Sequence, residues 1–197
     1  MMKQHLDTAV AASGKTVFDR IILTGFRATG KSLVGSMLAR RLGLDFCDTD
    51  TLLCADSGLS VAEYVARYGW PDFRRREEQV LLALGNRSSV VIATGGGAIL
   101  HEQAWRTLRK KSIIFWLRAD CATIEQRLSA DSRSRHLRPS LTGGDLSGEI
   151  REQLALRAPL YRRGSDVVID TDGCPPLDIV REVIRALSTA GGRKSHC

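Results

Sequence analysis

Eight consecutive residues, Gly25-Phe26-Arg27-Ala28-Thr29-Gly30-Lys31-Ser32, have the types and spacing of a phosphate cradle. The glycines let successive backbone N–H groups turn inward on a polyphosphate, and a helix starting at Lys31 aims the positive end of its dipole at the same place. Lys31 can reach the terminal phosphates and Ser32 can hold Mg²⁺. A glycine-rich turn alone would explain the glycines but not the Lys31-Ser32 pair. A second string, Ser13-Gly14-Lys15-Thr16, has no glycine five residues earlier and no strand before it, so it is read as a chance match within a polar N-terminal tail, residues 1–16.

Carboxylates and arginines supply the second half of a transfer site. Leu44 to Asp48 reads as a short strand that delivers Asp48-Thr49-Asp50 at its carboxyl end, where ligands of open α/β sheets bind. Further on, Phe73, Val80, Leu81 and Leu84 define the buried stripe of a helix starting near Pro71. On its wheel Arg75 points to solvent, Arg74 and Arg76 border the stripe on opposite sides, and Glu77 lies inside it. A carboxylate there is costly unless paired, so Glu77 is expected to orient an arginine. Thr94-Gly95-Gly96-Gly97 follows a continuous apolar run; three glycines are needed where backbone must approach something closely, although a bare turn would also use them. Ile150, Leu154 and Arg157 share one helical stripe, which turns Arg157 inward to meet either an internal carboxylate or an anionic ligand.

The elements that must position these groups alternate. Ile21 to Thr24, Ser89 to Thr94, Ser112 to Leu117 and Asp166 to Asp170 read as strands. Helical spacing appears in Val34-Met37-Leu38-Leu42, Cys121-Ile124-Leu128 and Leu177-Val180-Ile184-Leu187, and across Leu100 to Lys110. Gly43 is a stop, Thr51 to Ser57 reads as a short helix stopped by Gly58, Ser60 to Tyr68 as another with Ser60 and Glu63 at capping-box spacing, and Pro159 is expected to end the helix that carries Arg157. Between Ala130 and Leu146 no periodicity survives. That stretch carries Arg133, Arg135, His136 and Arg138, and it reads as a basic lid closing over a γ-phosphate or as a solvated loop.

The bulk numbers fit this picture. A chain of 197 residues with 43% hydrophobic content suits one soluble domain, residues 17–190, with frayed residues 191–197 behind it. No apolar run approaches the ~20 residues of a membrane span. Five scattered cysteines without a Cys-x-x-Cys pair suggest a reducing compartment, hence a cytoplasmic location. The net charge of +7 suits nucleic acid or, equally, a cleft for ATP and an anionic acceptor.

In order, Gly25 to Ser32, Asp48-Thr49-Asp50, Phe73-Arg74-Arg75 with Glu77, Thr94 to Gly97, Arg138-Pro139 and Arg157-Ala158-Pro159-Leu160-Tyr161 resemble the shikimate kinases. These are P-loop enzymes of the nucleoside-monophosphate-kinase fold, and the likeness runs from about Ile21 to Leu187. The resemblance implies a three-layer α/β/α domain with a five-stranded parallel sheet of order 2-3-1-4-5 and a mobile lid at about residues 130–146. Its acceptor-binding helices span about residues 49–86. It implies transfer of the γ-phosphate of ATP to the 3-hydroxyl of shikimate, a step towards chorismate and the aromatic amino acids. Asp50, Lys31 and Arg138 would be catalytic. ATP would meet Gly25, Ala28, Thr29, Gly30, Lys31, Ser32, Leu33, Arg127 and Arg138. Shikimate would meet Asp50, Phe73, Arg74, Gly95, Gly96, Gly97 and Arg157, with Arg74 chosen over Arg76. Mg²⁺ would be held by Ser32 and Asp48. Members usually read Arg-Pro-Leu-Leu in the lid, where this chain has Arg138-Pro139-Ser140-Leu141 and additional arginines at 133 and 135.

The expected partners are therefore ATP and shikimate, with no nucleic acid, no membrane, and a monomeric enzyme. Two rivals remain. One is a kinase of the same fold acting on another small acid, such as gluconate, or on a nucleotide. The other is a basic ATP-responsive module that binds nucleic acid, for which no recognition helix or aromatic platform is visible.

Overall fold

The alternation of apolar strands and amphipathic helices closes into a parallel sheet covered on both faces. The computed structural model describes residues 18–130 and 146–191. Strands β1 (Arg20–Thr24), β2 (Asp45–Asp48), β3 (Val90–Ala93), β4 (Ser112–Arg118) and β5 (Val167–Asp170) lie side by side in the order β2-β3-β1-β4-β5, every pair parallel. Ile22 stands level with Ile92 on one side and Ile114 on the other. The helices are α1 (Lys31–Leu42), α2 (Thr49–Ser57), α3 (Val61–Leu84), α4 (Glu102–Arg109), α5 (Cys121–Ala130), α6 (Leu146–Gly164) and α7 (Pro176–Gly191), with a short 3₁₀ turn at Ala98–Leu100.

Side-chain alternation along the strands builds two cores. Ile21 and Leu23, with Val91, Ile113, Phe115 and Leu117, pack with Val34 and Leu38 of α1 and Ile179, Val180 and Val183 of α7. Ile22, Ile92, Ile114 and Trp116 point the other way, into Leu81, Leu84, Trp105, Leu108, Ile124, Ile150 and Tyr161 from α3, α4, α5 and α6. The three-layer architecture and the strand order implied by the resemblance are both present.

Several local expectations shift. α2 begins at Thr49 rather than Thr51, because the Asp48 carboxylate caps it by accepting from the N–H groups of Asp50 (3.0 Å) and Thr51 (3.2 Å). α3 keeps the expected division into a helix ending near Tyr68 and one starting near Pro71, for the two pieces are joined at Gly69, whose φ of 80° and ψ of 164° break the turn. Pro159 does not end α6, which continues to Gly164. The carbonyl that loses its donor there belongs to Ala155, which is exposed, while Tyr161 is fully buried and holds the last turns down. Leu177 is exposed in α7, and the buried stripe there runs through Ile179, Val180 and Val183. Gly191 is the last residue of α7 rather than the start of a tail. The expected tails at 1–16 and 192–197, the decoy string Ser13 to Thr16, and the lid with Arg133, Arg135, His136 and Arg138 lie outside the described residues, apart from the lid's ends at Ala130 and Leu146.

Candidate active site

The P-loop joins β1 to α1 at the carboxyl edge of the sheet. Gly25 has φ 142°, and a Cβ there would overlap the carbonyl oxygen of Leu117, so the loop leaves the sheet by a path that only glycine can follow. Ala28 and Gly30 also have positive φ, 63° and 90°. Inside the turn, Thr29 Oγ1 donates to the Phe26 carbonyl (2.9 Å) and the Lys31 ammonium donates to the same oxygen (2.6 Å). Arg127 of α5 braces the loop from outside, donating to the Ala28 carbonyl (3.2 Å) and to Thr171 Oγ1 (3.1 Å) beyond β5. Leu33 is exposed in the first turn of α1.

Ser32 and Asp48 meet at the mouth of this cradle, the hydroxyl donating to Asp48 Oδ2 at 2.5 Å. They form a pair of hard oxygen ligands, the type that Mg²⁺ accepts. Among the described residues no group of three or more His, Cys, Asp or Glu side chains could hold a metal by itself. That donor set fits an ion carried chiefly by nucleotide phosphates and water, with one or two protein oxygens completing its shell.

Beside the P-loop opens a cleft lined by Phe26, Arg27, Asp50, Val61, Trp70, Phe73, Arg74, Glu77, Gly96, Gly97 and Arg157. Arg74 donates to Glu77 Oε2 (2.5 Å) and lies over the rings of Trp70 (5.1 Å) and Phe73 (5.6 Å). Glu77 is 1% exposed and receives a second contact at the same oxygen from His101 Nε2 (2.9 Å). Burial works to raise its carboxyl pKa, but the His101 hydrogen bond and the Arg74 charge outweigh it and hold the group below the usual carboxylate range. The wheel's ambiguity between Arg74 and Arg76 is thereby resolved, since Arg76 pairs instead with Asp56 and lies over the Tyr64 ring. Arg75 is exposed, as its position on the wheel indicates.

Arg157, 7% exposed, donates to the Gly96 carbonyl (3.3 Å) and to Gln153 Oε1 (2.8 Å). Among the described residues no carboxylate lies within ion-pair distance of it, and burial pushes its pKa down. Its guanidinium and that of Arg27 both stand 5.7 Å from the Phe26 ring. The glycine triplet is shaped by these neighbours. A Cβ on Gly95 would come within 2.6 Å of Asp50 and 2.8 Å of Glu77, and one on Gly97 would overlap the Arg74 guanidinium. The Gly95 N–H donates to Thr49 Oγ1 at 2.7 Å, and the Gly96 carbonyl accepts from the Tyr161 hydroxyl at 2.6 Å.

A sequence profile described as "Shikimate kinase" matches residues 27–188. The chain belongs to the shikimate kinase family. Curated relatives named shikimate kinase include one from Symbiobacterium thermophilum, 40% identical over 173 residues (88% of this chain and 98% of that one). Another, from Oleidesulfovibrio alaskensis, is 41% identical over 174 residues (88% and 99%). Among solved structures, a shikimate kinase from Acinetobacter baumannii in complex with shikimate superposes with a TM-score of 0.83 at 28% identity, covering 94% of this chain and 99% of that one. A gluconokinase from Sinorhizobium meliloti, at 18% identity and a TM-score of 0.54, shares the fold alone (92% and 100% covered).

Within the shikimate kinase pattern the structure gathers Asp50, Phe73, Arg74, Gly96, Gly97 and Arg157 around one cleft, with Gly95 packed behind Asp50. Lys31, Ser32 and Asp48 stand in the neighbouring P-loop and at the end of β2 rather than in the cleft wall. Arg138 falls outside the described residues. Sequence reasoning missed four contributors. Arg27, in a loop position that carries no periodic signal, joins Glu149 of α6 at 2.5 Å inside the protein. Trp70, hidden beside the Gly69 break, supplies an aromatic wall. Thr49 and His101 act through partners 46 and 24 residues away, which no local pattern announces.

Proposed function

We infer that this chain is an ATP-dependent shikimate kinase, transferring the γ-phosphate of ATP to the 3-hydroxyl of shikimate to give shikimate 3-phosphate and ADP. The observation that carries the reading is Arg157: a buried guanidinium with no carboxylate partner among the described residues, facing the same cleft as Asp50 and Arg74 and backed onto the phosphate loop. An anionic acceptor would supply the missing charge, and the arginine pair would clamp its carboxylate with hydrogen bonds each worth roughly 1.5–3 kcal/mol.

In this mechanism the P-loop N–H groups, the α1 dipole and Lys31 draw negative charge off the β- and γ-phosphates. Ser32 and Asp48 would hold Mg²⁺, which would supply Lewis-acid neutralisation of phosphate charge. Asp50 accepts the proton of the 3-hydroxyl as its oxygen bonds to the γ-phosphorus, and the bridging oxygen leaves with ADP. Arg74 and Arg157 fix the far end of the ring so that the hydroxyl lies in line. Alignment and electrostatics carry the rate, because little covalent chemistry falls to the protein. Arg127 steadies the nucleotide end of the loop, and Arg138 supplies a further cation from the lid.

Asp50→Asn tests the assignment. Turnover should fall at least about a thousandfold, because the base is lost, with ATP affinity within about threefold of wild type. Wild-type-like turnover in that variant would overturn the role given to Asp50.

A further inference from the structure

Glu77 is the only carboxylate that Arg74 meets among the described ion pairs, and it does not hold Arg74 alone. His101 leaves the 3₁₀ turn that follows the glycine triplet, in the residue just before α4, and brings its Nε2 to the same Glu77 oxygen that Arg74 uses. With Glu77 1% exposed, its carboxylate is held by these two donors rather than by bulk water. The other Glu77 oxygen is confined as well, since a Cβ on Gly95 would lie 2.8 Å from it. The carboxylate is thus fixed on three sides: by its own helix, by the glycine turn and by His101. His101 is itself nearly enclosed, with 11% of its side chain exposed.

We propose that His101 is a positioning residue for acceptor binding. It fixes the Glu77 carboxylate through a hydrogen bond at Oε2, and Glu77 in turn sets the Arg74 guanidinium against the acceptor's carboxylate. The inference rests on the shikimate kinase reading and assigns the control of acceptor affinity to a side chain outside the cleft wall. A bidentate clamp is sensitive to angle. An acidic residue free to rotate about its last torsions would let Arg74 swing across the Trp70 and Phe73 rings, whereas one tethered by His101, just before α4, leaves it a single setting. His101 also ties α3 to the segment carrying Gly96 and Gly97, so the two sides of the acceptor pocket keep their spacing.

The experiment compares His101→Leu, which removes the donor, with His101→Gln, whose amide can still donate to Glu77. Steady-state kinetics with shikimate and Mg·ATP should give His101→Leu a shikimate KM raised about five- to tenfold, with kcat and the KM for ATP within about twofold of wild type. His101→Gln should restore the KM to within about twofold. In an Arg74→Leu background the His101→Leu change should add less than about twofold, because the effect passes through Arg74. An unchanged shikimate KM in His101→Leu overturns the proposal. So does a rise shared equally by ATP and shikimate and accompanied by a lowered Tm in both variants, which would mark a purely structural role. Wild-type protein that turns over shikimate while His101→Leu behaves identically overturns this inference alone. Wild-type protein that fails to phosphorylate shikimate overturns the functional reading and the inference with it.

Discussion

Glu77 is a buried charge whose ionisation the fold prefers, and that preference has a sign that acid unfolding can read. Its pKa in the folded chain lies below the ordinary 4.5, so the folded state binds this proton less readily than the unfolded one. The contribution to stability is therefore present above about pH 4.5 and is lost as pH falls through the depressed value. Glu77→Gln removes it and leaves Arg74, itself a quarter exposed, to be solvated. Urea unfolding should show the variant roughly 1–3 kcal/mol less stable at pH 7, with the gap closing as pH drops below 4.5; a gap that stays constant would contradict the account. The charge at position 77 and the inward turn of Arg157 were legible in the sequence, because a helical wheel fixes which face a residue shares with its neighbours in the same helix. Arg27 was not. Its partner Glu149 is 122 residues away, and only the folded sheet brings the P-loop to the first turns of α6.

At the scale of elements, the glycines of two turns perform different duties and should respond differently to the same added methyl group. Gly25→Ala places a Cβ against the Leu117 backbone at a φ of 142°, with neither obstacle able to move. It should cost roughly 2–4 kcal/mol of stability. Gly97 has an ordinary φ of −92°, and the group in the way is the far end of Arg74, which can move. Gly97→Ala should keep its Tm within a few degrees of wild type while raising the shikimate KM at least about tenfold by displacing the clamp. Thermal melts and kinetics on both variants check the contrast, and a Gly97→Ala protein with normal KM would remove Arg74 from the acceptor site. Short apolar runs made the described strands visible and period-3.6 patterns most of the helices. Pro159 misled because its local rule concerns one hydrogen bond, whereas the helix is kept going by Tyr161, which stacks on Trp116 at 5.8 Å and bonds Gly96. The start of α2 moved because a side-chain cap, rather than periodicity, sets it.

At the scale of the molecule, the parallel sheet presents its carboxyl edge as one continuous bench, with the phosphate loop after β1, Asp48 at the end of β2 and Asp50 just beyond it, and the glycine triplet after β3. Strand order 2-3-1 places these three turns side by side, which is why donor and acceptor can share a single cleft. This much followed from the ordered motifs, since each motif ends a strand; the depth of the cleft and its aromatic wall did not, because they depend on how α3 bends at Gly69. No helix among the described residues is long and apolar enough to cross a membrane. Stripping divalent ions with EDTA should abolish turnover, because the donor is Mg·ATP, and, with no metal cluster preformed among the described residues, should shift the Tm of the nucleotide-free protein by less than about 1 °C. A large loss of Tm would mean that the metal is structural. The central claim is most directly tested by measuring ADP release from Mg·ATP with shikimate, gluconate and AMP as alternative acceptors. The account predicts rapid release with shikimate and only background release with the other two; rapid release with gluconate or AMP and none with shikimate would contradict it.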